Sequence, residues 1–382
     1  MQSQPDVSQV SDVLIIGGGL AGLCSSIHLS AHGLSVVLIE KEAYPRHKVC
    51  GEYVSNEILP YLSYLGIDPF DLGAVRISEL EFSGPDGASL RSELPLGGFG
   101  ISRFRLDHAL AEKAIEKGVT LIQDQVDKVI FQNDQFSIRT KKSGSYQCQF
   151  AIGAFGKRSV LDKKLDRQFI QKKSSYVAVK SHYQGDFPEH LVGLHNFEGG
   201  YCGVSRVEEG RLNICYLANY DVFQKYKDPE VFEKEVLRQN PQLASVLLNA
   251  EMIFHKPLTI SQISFDSKEL VVNHMLMCGD SAGLIHPLCG NGMGMAIGAA
   301  QLASDAILSY FNGKFKSRAE VEKQYIQQWK KRFSSRLRTG HFLASLLRNY
   351  RLTYLLVPVL RKFPWMLRGI IRNTHGKPSL AL

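Results

Sequence analysis

Residues 12–29 read DVLIIGGGLAGLCSSIHL, and this segment is the strongest indication of the fold. It consists of an apolar run, three glycines with the spacing G-x-G-x-x-G (Gly17, Gly19 and Gly22) and a helix-like segment. A second apolar run follows and ends in Glu40. In this context the glycines permit a tight turn, a close approach to a pyrophosphate and close helix–strand packing, and the acid accepts hydrogen bonds from a ribose. The order of these features predicts a dinucleotide-binding unit.

The same stretch indicates which dinucleotide is bound. The helix that follows Gly19 directs its N-terminal N–H groups towards phosphates. Glu40 disfavours a 2′-phosphate on the adenosine ribose, so we expect NAD or FAD. Near this turn and along the same domain, the predicted cofactor-binding set also includes Leu20, Ala21, Lys41 and Val126.

A second glycine signature occupies residues 275–298, which read MLMCGDSAGLIHPLCGNGMGMAIG. Residues 276–278 are typical of a buried strand, and Asp280 stands at its end. A glycine-rich segment that starts at Gly290 leads into a helix predicted to begin near Gly294. A strand, an acid and a glycine-rich helix start thus occur for a second time, far along the chain from the first.

Together the two signatures resemble the flavoprotein family that contains aromatic hydroxylases, geranylgeranyl reductases and flavin-dependent halogenases. The resemblance implies FAD as the cofactor, with Asp280 at the ribityl chain. It also implies that backbone amides and the dipole of the following helix stabilise negative charge on the reduced ring. The residues implied on this side of the flavin are Gly279, Pro287, Gly290, Asn291, Gly292 and Met293.

Two further stretches match the same family. Arg103 and Asp107 fit its R-x-x-x-D/H-x-x-L pattern, which implies that Arg103 contacts FAD; a solvated arginine at a helix start is the alternative. Residues 150–159, FAIGAFGKRS, occupy the place of an ADG-x-x-S element that helps hydroxylases handle FAD and NADPH. Gly156 is expected to approach the cofactor. Phe155 stands where the family has Asp, which leaves the use of NAD(P)H as electron donor open.

The stretch PRHKVCGEYVS, residues 45–55, resembles the K-x-C-G-(G/E) element of geranylgeranyl reductases. The resemblance implies that Cys50 and Gly51 line the active site and that Glu52 contacts cofactor or substrate. It further implies that Arg46 and Lys48 pair with the FAD phosphates. Cys50 is a candidate proton donor, because a thiol is mostly protonated at neutral pH, and shaping the pocket is the alternative.

His286 is the second candidate catalytic residue. Histidine titrates near neutral pH and is a common acid or base, so a position beside the flavin would suit it for proton transfer. A structural role in packing explains a buried histidine equally well. The sequence leaves both interpretations open.

The sequence predicts an α/β protein with a Rossmann-like FAD-binding domain of the glutathione-reductase type, an antiparallel substrate-binding sheet and C-terminal helices. Three alternating or apolar runs, residues 175–183, 201–207 and 211–217, indicate this sheet, and the second and third suit a hairpin. The predicted FAD-binding pieces are residues 9–75, 98–160 and 268–312; the substrate-binding pieces are 76–97 and 161–267; the basic helical region is 313–382.

Composition fits an ordinary globular chain of 382 residues, with 44% hydrophobic and 21% charged residues. The seven cysteines form no C-x-x-C pair and the histidines show no ligand spacing, so we expect neither a disulfide framework nor a metal site. The polar N-terminus lacks the pattern of a secretory signal. We therefore expect a cytoplasmic protein with reduced thiols.

The net charge of +8 comes from the C-terminal region, because residues 330–382 contain basic residues and no acid. Their segments interleave large apolar residues with arginines, which suits an anionic membrane surface or the entrance for an apolar substrate. A helical cap packed on the sheet is the alternative. No nucleic-acid-binding module accompanies these basic residues, so we do not expect a nucleic-acid partner.

The resemblance leaves several activities open. A reductase or dehydrogenase would transfer a hydride between flavin and a C–C bond of an apolar isoprenoid-, polyene- or polyketide-like substrate, with NAD(P)H or a donor protein as electron source. An FAD-dependent monooxygenase would hydroxylate an aromatic or polyketide substrate, and Phe155 counts against it. A halogenase would carry a W-x-W-x-I-P element, whereas Trp329 and Trp365 stand apart in the tail. A non-catalytic carrier, similar to the escort factors that bind lipidated protein partners with the same fold, would not need the flavin motifs.

Overall fold

A computed structural model describes residues 7–171, 175–261, 263–286, 290–348, 350–374 and 376. Within these residues, strands form two sheets and helices cover them. The strands are β1 (Val7–Ile16), β2 (Val36–Glu40), β3 (Tyr53–Ser55), β4 (Val75–Ser83), β5 (Ser89–Gly100), β6 (Thr120–Gln123), β7 (Val126–Gln132), β8 (Gln135–Thr140), β9 (Ser145–Gly153), β10 (Tyr176–Gln184), β11 (Leu191–Phe197), β12 (Gly200–Arg206), β13 (Leu212–Asn219), β14 (Glu251–Met252), β15 (Leu258–Ser261), β16 (Val271–Val272) and β17 (Met275–Met277). The helices are α1 (Leu20–Ala31), α2 (Leu59–Tyr64), α3 (Arg103–Glu116), α4 (Val160–Lys164), α5 (Tyr220–Phe223), α6 (Pro229–Glu235), α7 (Pro241–Leu248), α8 (Gly292–Phe311), α9 (Arg318–Arg348), α10 (Tyr350–Lys362) and α11 (Pro364–Thr374).

The first sheet follows the order β16-β17-β9-β1-β2-β6, and β7 and β8 extend it from β9. Its central strands are parallel: β1 pairs with β2 and β9, β9 with β17, and β2 with β6. Val13, Leu14 and Ile15 are fully buried, which explains the continuous apolar run, because helices cover both faces of such a sheet. The turn after β1, the end of β2 and the end of β17 consequently meet at one edge.

The second sheet follows the order β14-β10-β13-β12-β11-β4-β5-β3, with β15 also paired to β10. All of its pairs are antiparallel except β4 with β11. The predicted hairpin is present as β12 and β13, which pair from Gly200 with Ala218 to Arg206 with Leu212. Two sheets with C-terminal helices confirm the predicted α/β fold class.

Two boundaries differ from the sequence predictions. Residues 53–55, predicted within the FAD-binding pieces, form β3, which pairs with β5 in the second sheet. Helix α8 begins at Gly292 instead of Gly294, because the carbonyl of Asn291 already accepts the first helical hydrogen bond from the N–H of Met295.

The C-terminal helices pack on the rest of the chain. In α9, Arg336 donates two hydrogen bonds of 2.9 Å to the buried carboxylate of Glu57. Leu360 in α10 and Leu367 and Ile371 in α11 pack into a cluster with residues of the second sheet. These contacts agree with the interpretation of the tail as a helical cap. Among the described residues, no helix has the length and apolar character needed to cross a bilayer.

Candidate functional site

A cavity of about 970 Å³ is lined by residues of both sheets and of the C-terminal helices. This volume lies near the top of the range of about 300–1,000 Å³ found for ligand pockets. Most of the predicted cofactor-binding residues line it: Gly17, Gly19, Leu20, Ala21, Glu40, Lys41, Arg46, Lys48, Cys50, Gly51, Arg103, Val126, Gly156, Gly279, Asp280, Gly290, Gly292 and Met293. Residues far apart in sequence therefore share one site.

The glycines of the first signature have different structural roles. Gly17 has a φ of +105°, and a Cβ there would lie 2.4 Å from the carbonyl oxygen of Ala154. A Cβ on Gly22 would lie 1.9 Å from the carbonyl oxygen of Gly17, so this glycine permits the close packing of α1 on β1. Gly22 is not a wall of the cavity, which agrees with the packing role predicted for it.

Gly19 is required neither by the backbone nor by its neighbours. Its φ of −87° is open to any residue, and a Cβ there would meet only the guanidinium of Arg103, at 3.9 Å. Gly19 is also the N-cap of α1 and makes no side-chain capping bond. No side chain at Gly19 therefore covers the N–H groups in the first turn of α1. These groups can bind a pyrophosphate in the cavity.

Glu40 braces the glycine turn from the end of β2. Its carboxylate accepts hydrogen bonds from the N–H of Gly18 at 2.7 Å and of Glu42 at 3.0 Å. Burial opposes ionisation, but the charges of Arg46 and Lys48 and the hydrogen bonds from Glu42 and Arg46 outweigh it and lower the pKa of Glu40. An ionised Glu40 at the cavity wall suits a ribose.

Arg46 pairs with Glu40 at 3.0 Å. Its Nη1 atom is buried without a hydrogen-bond partner among the described residues. Such an atom in a cavity wall fits an anionic group supplied by a ligand. The carboxylate of Glu40 already holds the side chain in place. The pairing of Arg46 with FAD phosphates fits this geometry and stays a prediction.

Arg103 and Lys48 share one buried carboxylate. Asp107 accepts bonds from the Nε and Nη2 of Arg103 at 2.7 and 2.8 Å, and from the Nζ of Lys48 at 2.7 Å. Burial opposes the ionisation of Asp107, yet both cations outweigh it and its pKa is lowered. Sequence reasoning assigned no role to Asp107, although its place in the R-x-x-x-D pattern was the available signal.

The second signature meets the GAFGKRS loop through Ser281. Its hydroxyl accepts a bond from the N–H of Gly156 at 2.9 Å and donates to the carbonyl of the same residue at 3.0 Å. Beside it, the Nζ of Lys268 donates to the carbonyl oxygens of Asp280 at 2.7 Å and Lys157 at 2.8 Å. These bonds hold Asp280 at the cavity wall. Neither Ser281 nor Lys268 was expected from the sequence.

The N-terminus of a second helix, which has no side-chain cap, faces the same cavity. Gly292 and Met293 line it at the N-terminus of α8, and the N-cap residue Asn291 makes no side-chain capping bond. The amide of Asn291 instead donates to the carbonyl of Thr374 at the end of α11, and the residue is not a cavity wall. Pro287 lies outside the described residues, so its predicted contact is not placed.

Glu52 joins the K-V-C-G-E loop to the second sheet. The side chains of Glu52 and Lys180 are completely buried and that of His182 is 1% exposed. One carboxylate oxygen of Glu52 accepts from the Nζ of Lys180 at 2.5 Å and from the N–H of Arg103 at 2.8 Å. The other lies 2.7 Å from the Nε2 of His182. We refer to Glu52, Lys180 and His182 as the Glu52 cluster.

The backbone of Glu52 is strained, with a φ of +54°. A left-handed residue that is not glycine costs about 1–3 kcal/mol and persists only where its surroundings hold it. Burial opposes ionisation of its carboxyl, but the hydrogen bond to His182 and the charge of Lys180 lower its pKa below the ordinary value. The Glu52 cluster thus fixes the loop that carries Cys50 and Gly51.

The two candidate catalytic residues occupy different surroundings. Cys50 lines the cavity, and burial raises the pKa of its thiol. His286 does not line it; its ring packs against Phe265 at 4.7 Å and near Tyr201 and Tyr176. The catalytic role of His286 stays a prediction, with aromatic packing as its observed environment.

Cys215 is a cavity residue that the sequence did not single out. It lines the wall, and burial, with a smaller effect from the nearby Cys50, raises the pKa of its thiol to about 12. No local motif marks it, because a cysteine in an alternating strand reads as an ordinary packing residue.

Much of the remaining wall is apolar. It comes from the second sheet and from the C-terminal helices, away from the glycine signatures in sequence. Its apolar members include Leu80, Phe82, Leu94, Val192, Leu194, Leu343, Leu356, Leu360, Leu367, Ile370 and Ile371. This part of the cavity suits an apolar ligand.

Comparison with known families decides the identity of the cofactor. The sequence model of a family described as "FAD binding domain" matches residues 10–319. This chain belongs to that family. Its cofactor is FAD, and the bare start of α1 at Gly19, the ionised Glu40, the buried Nη1 of Arg46 and the start of α8 fit that group.

Relatives of this FAD-binding protein carry out more than one reaction. A digeranylgeranylglycerophospholipid reductase of Methanosarcina acetivorans is 25% identical, with 88% of this chain and 83% of the relative covered. A tryptophan 2-halogenase of Chondromyces crocatus is 22% identical, with 87% of this chain and 65% of the relative covered, so this chain spans about two thirds of that halogenase. A flavin-dependent brominase structure has a TM-score of 0.79 at 19% identity, with 96% of this chain and 93% of that chain covered.

The predicted family resemblance is therefore confirmed, and the protein is an FAD-dependent enzyme of the oxidoreductase class. The likeness to solved structures, at this level of identity, shows the fold. The relatives include both reductases and halogenases, so they do not select one reaction.

Proposed function

We propose that this chain is an FAD-dependent reductase or dehydrogenase that acts on a C–C bond of an apolar, isoprenoid-, polyene- or polyketide-like substrate. The observation that carries the proposal is the cavity itself. Its wall includes the glycines, acids and helix starts that suit FAD, together with leucines and isoleucines of the second sheet and the C-terminal helices. An apolar substrate and the cofactor would therefore share one cavity.

The chain supplies a proton donor to this space. When bound, a flavin supplies hydride transfer. Saturation of a double bond places the hydride on one carbon and a proton on the other, so a protonated group is needed beside the substrate. The pKa of the Cys50 thiol is raised by burial, which keeps the proton on sulfur at neutral pH. The Glu52 cluster fixes the loop from which this thiol reaches the cavity.

Cys50→Ser is expected to lower turnover of a reducible apolar substrate by about 100-fold or more, the scale of lost general acid catalysis. Wild-type turnover should stay level through neutral pH and fall only above the ordinary thiol pKa of about 8.5, because the protonated thiol is the active form and burial raises its pKa. Turnover against pH is the measurement, with bound FAD quantified in each sample.

Cys215→Ser is the matched control, since this thiol also lines the cavity. It should leave turnover and the pH profile close to those of the wild type. An unchanged rate in Cys50→Ser with full FAD occupancy would exclude a proton-donor role for Cys50.

An FAD-dependent monooxygenase is the second candidate, because halogenases stand among the relatives. Phe155, which lines the cavity in place of the aspartate of the ADG element, argues against it. The two candidates differ in their need for oxygen. The electron donor, NAD(P)H or a donor protein, is identified by the rate at which each reduces the bound flavin.

A further inference from the structure

Helices α10 and α11 have two contrasting faces. Their inner residues Leu360, Leu367 and Ile371 are at most 5% exposed and line the cavity. Their outer residues include large apolar and aromatic side chains that contact solvent. Trp365 is 70% exposed, and Val359, Tyr354 and Phe363, which lies between the two helices, are 42–43% exposed. The helices therefore separate the apolar cavity from an exposed apolar surface.

Two sets of exposed residues follow the helical repeat. Tyr354, Pro358 and Lys362 in α10 are all exposed at spacings of four residues. Trp365, Arg368 and Arg372 in α11 are exposed at spacings of three and four. Such spacings place each trio on one face of its helix. We call the exposed residues Tyr354, Val359, Arg361, Lys362, Phe363, Trp365, Arg368 and Arg372 the outer face.

The charge of the outer face has one sign. Arg361, Lys362, Arg368 and Arg372 are exposed, and residues 330–382 contain no acid. The guanidinium of Arg361 also donates to the carbonyl of Ser89 at 2.9 Å. Two arginines of α9 are used internally instead: Arg336 binds Glu57 and Arg332 donates to Gln301 at 3.1 Å. The exposed surface of α10 and α11 thus combines aromatic side chains with positive charge.

We propose that the outer face docks on an anionic lipid bilayer. Aromatic and aliphatic side chains at the edge of a positively charged amphipathic helix enter the headgroup region, and each basic residue adds about 1 kcal/mol near an anionic surface. Tryptophan and tyrosine favour this interface. The bilayer contact goes beyond the proposed function. A supply of apolar substrate from the bilayer to the cavity behind α10 and α11 would rest on that function.

The two tryptophans allow a direct test. Trp329 is 6% exposed and Trp365 is 70% exposed, so a change of tryptophan emission on docking reports Trp365. The full chain with bound FAD is mixed with phosphatidylcholine vesicles with or without phosphatidylglycerol. We expect a blue shift and co-sedimentation only with phosphatidylglycerol, and loss of the blue shift in Trp365→Phe with co-sedimentation retained.

The triple variant Lys362→Gln, Arg368→Gln, Arg372→Gln is expected to bind the anionic vesicles about 100-fold more weakly. Its matched control is Lys225→Gln, Lys227→Gln, Lys234→Gln, which changes the net charge equally at exposed positions in α6 and in the segment between α5 and α6. The control should bind like the wild type. These assays measure vesicle binding without turnover. Their result can therefore be interpreted even if the proposed reaction is wrong.

Three results would overturn the proposal: equal weakening in both triple variants, no binding to phosphatidylglycerol vesicles, or a blue shift that persists in Trp365→Phe. Tight binding of an oligonucleotide that prevents vesicle binding would also overturn it, in favour of a nucleic-acid surface.

Discussion

Gly19→Val is expected to abolish FAD retention while the protein still folds. The φ of Gly19 is −87°, and a Cβ there comes no closer than 3.9 Å to another part of the chain. The valine side chain would therefore enter the cavity where the N–H groups of α1 are bare. We expect the Kd for FAD to rise at least about 100-fold, or about 2.7 kcal/mol. Equilibrium titration of FAD against the apoprotein measures this change.

The control is Gly369→Ala in α11, where an added Cβ meets no atom within 4 Å and the residue does not line the cavity. It should bind FAD as the wild type does. Circular dichroism and denaturant unfolding without FAD should show both variants folded, since a changed N-cap costs about 1 kcal/mol. Wild-type FAD affinity in Gly19→Val would place the pyrophosphate elsewhere.

Glu52→Gln is expected to lower the free energy of unfolding by about 3–5 kcal/mol, because Lys180 would stay buried without its carboxylate. The Nζ of Lys180 lies 2.5 Å from Glu52, and both side chains are completely buried. The strained loop that carries Cys50 would also lose its main support. Denaturant unfolding measures the stability, and turnover measures the consequence for the site.

The double variant Glu52→Gln, Lys180→Met separates charge from packing. Because removal of both partners leaves no buried unpaired charge, it should be more stable than Glu52→Gln alone. Identical losses in the single and double variants, or a loss below about 1 kcal/mol in Glu52→Gln, would contradict the account of the Glu52 cluster.

The sequence predicted those parts of the site that depend on residues close to one another in the chain. Gly17 has the positive φ of a tight turn, Gly22 is needed by a contact within the same strand–turn–helix unit, and Glu40 ends the adjacent strand. The order of residues alone therefore located them. Asp280 could be predicted in the same way, because it ends a short apolar run before a glycine-rich helix start.

Interactions between distant segments escaped prediction. The Glu52 cluster joins a loop after β2 to β10, and no local pattern relates residues that are 128 positions apart. Ser281 and Gly156 lie 125 positions apart and meet only because β9 and β17 are neighbours in the first sheet. Asn291 was expected at the flavin ring, but its amide binds the end of α11, which the sequence showed only as an amphipathic tail.

An anaerobic single turnover tests whether the reduced flavin saturates a C–C double bond of an apolar substrate. The flavoprotein is reduced with dithionite, mixed without oxygen with a long isoprenoid alcohol, and followed by flavin absorbance, and the products are then identified. We expect the substrate to reoxidise the flavin and saturated product to form in equal amount. A flavin that stays reduced until oxygen is admitted, and then yields a hydroxylated product, would contradict this expectation.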